Sequence, residues 1–450
     1  MARAASQPLR RRFSLAQLAL LTPATALVVA AWKPITDNSF LWHIRAGELQ
    51  ADVGRVLIKD PFSFTMAGEP WRTQSWLAEL LYSWGEGLSG LGFTPPMLLL
   101  TSLTAMAGIG LVAFRQSRSA TATAVILVLS VVLLTPFLVP RPVLFSHALF
   151  ALVAAAWGSE RLRWTAPFLF WVWASVHGSF VVGLAFIGLW LIMEREWRLL
   201  PTAVVSGLCT LITAHGLGVV EILAGFSGAG EALELLTEWR KPDLLSPLSI
   251  PLAAGVVIII LGAARRIVAP RHLWLVVPFA ALGLTAVRAG PPAWIGLVPL
   301  VALSLRDLGG RPSPRFPVIS AALFAAAVVG GPLLMAREAE LAEGRFPLEA
   351  AEHLRDVNVI HDDRVGGYLI WRDGPGRRVF IDDRAELYGD RMAEFADVRA
   401  TDADWRPVFE RDGIEQALLR VEDGLAADLE GAGWRAAHRD RSFVVLDPPR

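Results

Sequence analysis

Cysteine is almost missing from this chain: Cys209 is the only one in 450 residues. A single thiol excludes an intrachain disulfide and any multi-thiolate metal centre. Its apolar surroundings read as those of a small buried hydrophobe. Charge is scarce too, at 19% of residues against about a quarter in soluble domains. The 42 acidic and 42 basic residues cancel, so there is no polyanion-binding field, and nucleic acid is not an expected partner. Glycine-rich loops of the P-loop or dinucleotide type are also missing, which argues against nucleotide phosphates as ligands.

What the chain has instead is apolar length, with 54% hydrophobic residues and 17 Trp. Apolar runs at 15–35, 94–114, 120–138, 143–158, 164–176, 178–193, 199–215, 249–264, 271–288, 291–305 and 316–335 predict about eleven transmembrane helices. Arg10-Arg11-Arg12 ahead of the first run resembles a signal peptide. The run is about 20 residues long, however, and lacks a small-residue cleavage site, so it reads as an uncleaved span. Basic clusters at 10–12, 115–118, 161–163, 195–198, 265–266 and 306–315 fall on one side if the chain alternates from a cytoplasmic N-terminus. An odd number of spans then places the tail outside, on the same face as the large loop 36–93. The expectation is a polytopic α-helical membrane protein of the cytoplasmic (inner) membrane. Residues 1–336 form its transmembrane module, and 337–450 a soluble extracytoplasmic α/β domain. An enzyme on that face draws on lipid-carried or protein-carried substrates.

The 36–93 loop concentrates polarity that a lipid-buried helix would not tolerate. Asp37 follows the first span directly. It reads either as a general base or cation ligand, or as the cap of a helix beginning at Phe40-Leu41-Trp42, a role Ser39 also fits. In that helix Ser39, His43 and Gly47 share a face, and Arg45 and Glu48 suit a surface pair. Asp60-Pro61 signals a chain reversal, with Asp60 either a turn acid or a second site carboxylate. Trp76, Leu77, Leu80, Leu81 and Trp84 predict an amphipathic interfacial helix, on which Glu79 reads as a site acid or, more commonly, as part of a solvated face. Isolated polar residues mark the outer ends of other spans: Arg141, His147, His177, His215 and Arg288. Arg141 and Arg288 offer forked donors to phosphate oxygens, or else snorkel to the interface. Glu238 supplies a further external acid.

These residues resemble the GT-C-type membrane glycosyltransferases, and more closely a group of bacterial membrane proteins assigned to that superclass. The pattern D-x4-W-H-I-x2-G-E, D-P-F-S-F-T, G-x-P-W and W-L-x-E is matched over 37–79. His177-Gly178, Glu238-Trp239 and a C-terminal G-G-Y-L-I-W…V-F-I-D-x-R-x-E-L-Y-G, at 366–371 and 379–389, complete it. The resemblance implies transfer of a sugar from a polyprenyl-phosphate donor to an extracytoplasmic glycan, lipid or protein acceptor, with inversion. It implies a catalytic or metal-linked acid at Asp37; His43, Asp60, Arg141, His177, Glu238 and Arg288 are the residues expected beside it to bind substrate in a membrane-lipid setting. Two departures stand out. Ala214-His215-Gly216-Leu217-Gly218 replaces N-P-x-G, and Asn38 follows Asp37 where an adjacent acid pair occurs in some first loops. No cofactor is required by this reading, and a divalent cation, Mg or Mn, stays open. The alternative is a non-catalytic lipid-linked glycan transporter or envelope polysaccharide assembly factor.

In the tail, 350–354 and 422–433 read as helices, and 368–371, 379–381 and 442–446 as strands. Gly366-Gly367 permits positive φ or close backbone approach. Asp382, Asp383, Arg384, Glu386 and Tyr388 form the densest polar group there. They read as a metal or sugar site or, more commonly for such a pattern, as a salt-bridged strand end.

Overall fold

The computed structural model describes residue 31 and residues 33–228, 239–308 and 339–449. The last expected span and Glu238 lie outside the described residues, as does most of the first span. The described chain is mostly helical. Two helices come from the large loop, α1 (Ser39–Val53) and α2 (Trp76–Ser89). The bundle continues through α3 (Thr94–Ser117), α4 (Ala120–Leu134), α5 (Val143–Trp157), α6 (Ala166–Val176), α7 (Phe180–Glu194) and α8 (Leu200–Cys209). It closes with α9 (Gly218–Gly228), α10 (Ile250–Ala264), α11 (Leu273–Thr285) and α12 (Gly290–Ser304).

Nine of these helices, α3–α8 and α10–α12, coincide with apolar runs read from the sequence. Proline opens several of them, as in α3, α6, α8, α10 and α12, where its missing N–H would have had no intrahelical partner. Among the described residues, three stretches are long and apolar enough to cross a membrane: Trp76–Ser117, Ala120–Phe137 and Val287–Ser304. The apolar helices α5, α7 and α10 have only 15 residues each. At 1.5 Å per residue that is about 22 Å, short of a hydrocarbon layer of about 30 Å.

Contacts sort the helix ends into two sets. Ser119 Oγ donates to Leu308 O, Arg115 Nη1 donates to Ala155 O at 2.6 Å, and Glu194 meets Arg271 at 3.4 Å and His272 at 3.0 Å. Gly262 of α10 abuts Ser304 of α12. The described basic clusters after residue 114 therefore gather at one end of the bundle. At the other end Arg141 meets Asp37, Val287 N–H donates to Arg240 O, and Gly178 abuts Gln74.

The C-terminal region carries a four-stranded sheet of β1 (Val359–His361), β2 (Gln416–Arg420), β3 (Arg435–Arg439) and β4 (Phe443–Asp447), in the order β1-β2-β4-β3. β1 runs parallel to β2, and the other pairs are antiparallel. Helices α13 (Asp363–Asp373), α14 (Ala385–Tyr388), α15 (Asp390–Ala400), α16 (Arg406–Asp412) and α17 (Gly424–Gly431) surround it, with a 3₁₀ turn at Ala350–His353. Two strand expectations need correction. Residues 368–371 lie inside α13, which Asp362 caps by accepting the Arg364 N–H at 2.9 Å. A four-residue apolar run looks the same in a buried helix as in a strand, and the cap decides it. Residues 379–381 join no strand of the sheet. Val379 instead bridges to Ser63 of the large loop.

That bridge belongs to a broader interlock between loop and C-terminal domain. Phe64 N–H donates to Val379 O at 3.0 Å, Val379 N–H to Phe62 O at 2.9 Å, and Thr65 Oγ1 to Phe380 O at 2.6 Å. Asn38 Nδ2 donates to Asp363 O, and its Oδ1 accepts the Tyr368 N–H, each at 3.0 Å. Gly367 makes this approach feasible, since a Cβ there would stand 2.2 Å from Asn38 O. Gly366 is equally close to Ile381 O, at 2.1 Å. Both glycines serve close approach within a helix, one of the two roles their sequence allowed.

Candidate functional site

Three parts of the chain meet around Arg141. It lies in the break between α4 and α5, and its Nε donates to Asp37 Oδ2 at 2.6 Å. Its Nη2 lies 3.7 Å from Asp383 Oδ2, in the C-terminal domain. Asp37 precedes α1, and its Oδ1 accepts the Phe40 N–H at 3.0 Å, satisfying a first-turn donor. The capping reading of Asp37 and its place in a charged cluster therefore hold together. Asp383 Oδ1 accepts the indole N–H of Trp42 at 2.9 Å. Burial pushes the Asp383 carboxyl above its ordinary range, and the Arg141 charge opposes that rise while the Asp382 and Asp37 charges add to it.

One turn along α1, His43 Nδ1 lies 2.9 Å from Glu79 Oε1 on α2. Glu79 is fully buried. Gln50 Nε2 donates to its Oε2 at 2.6 Å, and Thr73 Oγ1 donates to its Oε1. A carboxylate offers only acceptors, so His43 Nδ1 carries the proton and Nε2 keeps a lone pair when the ring is neutral. This corrects the reading of Glu79 as solvated. Leu81, Trp84 and Leu88 form the exposed apolar face of α2, and Glu79, Tyr82 and Gly85 line the buried one. At Gly47 a Cβ would stand 2.0 Å from Glu79 O, so glycine there lets α1 and α2 meet at backbone distance.

Around this core sit buried polar groups without partners. Among the described residues, Tyr82 Oη, Ser146 Oγ and both ring nitrogens of His147 find no hydrogen-bond partner. The Tyr82 ring packs against Phe40 at 5.3 Å, Phe145 at 5.9 Å and His43 at 6.2 Å. Asp37 and Glu79 are within electrostatic reach of Tyr82, and Arg288, His147 and His43 are within reach of His177. Arg288 also stacks over Trp239 at 4.3 Å. His177 Nδ1 accepts the Ser179 N–H at 3.1 Å, and His215 lies against the Thr73 backbone. Buried polar groups usually find partners, so a set of orphans beside a charged cluster is where a polar ligand fits.

Of the residues singled out in the sequence, Asp37, His43, Arg141, His177 and Arg288 thus share one end of the bundle. Asp60 makes the turn contacts that its sequence allowed. Its Oδ1 accepts the Phe62 N–H at 3.1 Å and forms an ion pair with Arg384 Nη1 at 2.8 Å, and its Oδ2 accepts the Ser63 N–H at 3.0 Å and Ser63 Oγ at 2.5 Å. Arg384 is 1% exposed and grips Asp382 through Nε at 2.7 Å and Nη2 at 2.6 Å, while Tyr388 Oη donates to the same carboxylate at 2.9 Å. Asp382 therefore fits the salt-bridged reading, and its neighbour Asp383 joins the Arg141 cluster.

Two features escaped the sequence reading. Tyr82 was legible as a phenol on the polar stripe of α2, three residues after Glu79. The approach of Asp383 to Asp37 had no local signal. A guanidinium already bridges these two carboxylates, so the pair does not fit the oxygen cage that Mg or Mn requires. A cavity lined by Val112, Arg115, Trp157, Phe186, Trp190 and Pro299 lies at the opposite end of the bundle, away from these groups. Compared with the models of known protein families and with curated proteins, the chain matches none.

Proposed function

We propose that this chain is a membrane-embedded glycosyltransferase that moves a sugar from a polyprenyl-phosphate donor to an acceptor outside the cytoplasm. About eleven spans cross the membrane in this reading. The basic helix ends face the cytoplasm, and the Asp37 end faces out with the C-terminal domain. The observation that carries the proposal is the partly buried Asp37–Arg141–Asp383 cluster, set beside orphaned Tyr82 and His147 at one end of an apolar bundle. Polar groups in that setting are expensive unless they serve a ligand.

In the reaction, an acceptor hydroxyl oxygen attacks the anomeric carbon as the carbon–oxygen bond to phosphate breaks. The phosphate leaves with the bonding electrons, and the configuration inverts. Asp37, tied directly to Arg141, holds that guanidinium toward the departing phosphate, with Arg288 as a second cation. Asp383 contacts Arg141 at the longer distance, and burial raises its proton affinity, so it takes the hydroxyl proton. His43, oriented by Glu79, positions the acceptor through a hydrogen bond to a second polar group beside the attacking hydroxyl.

Purified chain in vesicles, given a radiolabelled polyprenyl-phosphate sugar and a membrane extract as acceptor, tests the proposal. Label should pass to acceptor, or to water as free sugar. Asp37→Asn and Asp383→Asn should each lower the rate at least about 100-fold. Undiminished transfer in both variants, or label crossing the bilayer still attached to its lipid, would overturn it. The second outcome would favour a transporter.

A further inference from the structure

Glu349, His438 and Asp440 stand on the rim of the C-terminal sheet, apart from the Asp37 cluster. β3 is an edge strand, and a bulge between Ala436 and His438 re-aims the side chains that follow. One donor atom from each of the three residues falls in a common group, all within 4.8 Å of one another. His438 Nε2 is closed to solvent and finds no hydrogen-bond partner among the described residues. It lies 3.7 Å from Asp440 Oδ2, beyond hydrogen-bond range.

Both side chains are held in that aim. Asp440 Oδ1 accepts the Ser442 and Phe443 N–H groups, each at 2.7 Å, which fixes the carboxylate in the β3–β4 turn and leaves Oδ2 toward the ring. The His353 ring stacks on His438 at 4.2 Å and 11°, setting the plane of the imidazole. A His–Asp pair meant only for itself would close to about 2.8 Å. Two ligands on one tetrahedral ion, with bonds of about 2.0–2.2 Å, stand about 3.4 Å apart. The observed separation lies nearer the second case.

We propose that Glu349, His438 and Asp440 form a binding site for a divalent transition-metal cation, with Zn²⁺ the best match to one imidazole and two carboxylates. Mg²⁺ and Ca²⁺ favour all-oxygen sets, which the imidazole does not offer. Three protein ligands leave one tetrahedral position to water. The ion ties the 3₁₀ turn that Glu349 precedes to the edge strand of the sheet, and so guards an edge that would otherwise fray or pair with another chain. The site stands independently of the glycosyl-transfer proposal.

The test is a titration of the tag-free, chelator-stripped full chain in detergent with Zn²⁺, and with Co²⁺ as a spectroscopic stand-in. One Zn²⁺ should bind per chain and raise the unfolding temperature by several degrees. Glu349→Gln changes an exposed residue, and Asp440→Asn keeps the oxygen that holds the turn, so neither threatens folding. Each should weaken binding at least about tenfold, and His438→Ala should abolish it. Failure of the native chain to bind stoichiometrically, or unchanged affinity in both Glu349→Gln and Asp440→Asn, would overturn the proposal.

Discussion

Arg384→Met tests the interlock between the first loop and the C-terminal domain most severely. The guanidinium binds Asp60 at 2.8 Å and Asp382 at 2.7 and 2.6 Å, and lies 4.5 Å over the Trp71 ring. Burial is the strongest single influence and lowers the Arg384 pKa, but the Asp382, Tyr388 and Asp60 charges and the hydrogen bond to Asp382 together outweigh it and hold the group well above its ordinary value. Removing it strands two carboxylates whose side chains have no exposed surface. Breaking a buried ion pair by deleting one partner costs about 3–5 kcal/mol. Asp60 keeps its bonds from Phe62 and Ser63, which holds the loss within that range despite the second stranded carboxylate. At 1.36 kcal/mol per decade, the contact should open about two to four orders of magnitude more often. Hydrogen exchange at the Phe64 amide, which donates to Val379 O, reads this opening directly. Protection there should collapse, and that of the buried α12 amides should hold. A companion variant carrying Asp60→Asn, Asp382→Asn and Arg384→Met together removes the charges as a set and should regain more than half of the loss. A fall in Phe64 protection of less than about tenfold, or a triple variant no better than the single one, would refute the reasoning.

Other expectations follow from single contacts. His361 accepts the Phe380 N–H at Nε2 and sits 3.0 Å from Asp362 O at Nδ1, and burial lowers its pKa to about 4. The unfolded ring titrates near about 6.5. The folded state therefore keeps this contribution above that pH and loses up to about 3 kcal/mol of it as pH falls toward 4. Exchange protection of the Phe380 amide should track that loss, and His361→Asn should flatten it. Gly47→Ala forces a Cβ to 2.0 Å from Glu79 O. It should cost about 1–3 kcal/mol in unfolding experiments, and an unchanged midpoint would contradict the close α1–α2 contact. In a Cys209→Ser background, Glu221→Cys should react with an impermeant thiol reagent from outside sealed right-side-out vesicles, and Arg198→Cys should react only after lysis. Both positions are exposed, so equal labelling would sink the proposed topology.

The apolar runs made the bundle legible, because a stretch of 15 or more apolar residues with proline in its first turn has few other fates. The final strand was equally plain as a short apolar run, and the helix Gly424–Gly431 from its periodicity. The error at 368–371 arose because Tyr-Leu-Ile-Trp is ambiguous on its own, and Asp362 as a cap was the missed cue. Glu79 was misread because an acid beside Trp and Leu on an interfacial helix is usually solvated. Its partners Gln50 and Thr73 lie 29 and 6 residues away, and neither spacing carries a local signal. Asp37 and Arg141 were both legible as candidates, but their pairing spans 104 residues and could only come from the fold.

The two long motifs, one in the first loop and one near the C-terminus, turn out to be halves of a single contact. Ser63 and Val379 bridge, Thr65 holds Phe380 O, Trp71 Nε1 donates to Glu386 at 3.1 Å, and Asn38 holds α13. Asp60, Asp382, Arg384 and Tyr388 pair with one another inside the seam. These polar groups are therefore explained by assembly alone, and density of charge is a poor guide to chemistry in this chain. Setting them aside leaves Asp37, Arg141 and Asp383, together with His43 and its carboxylate, as the polar groups that seal the seam on the side of the bundle. Under the proposed glycosyl transfer, that position couples the seam to the reacting groups. Because Asp383 reaches Arg141 only when the loop and the domain are locked together, opening the interlock by Arg384→Met should disable the Asp37 site without altering any of its residues.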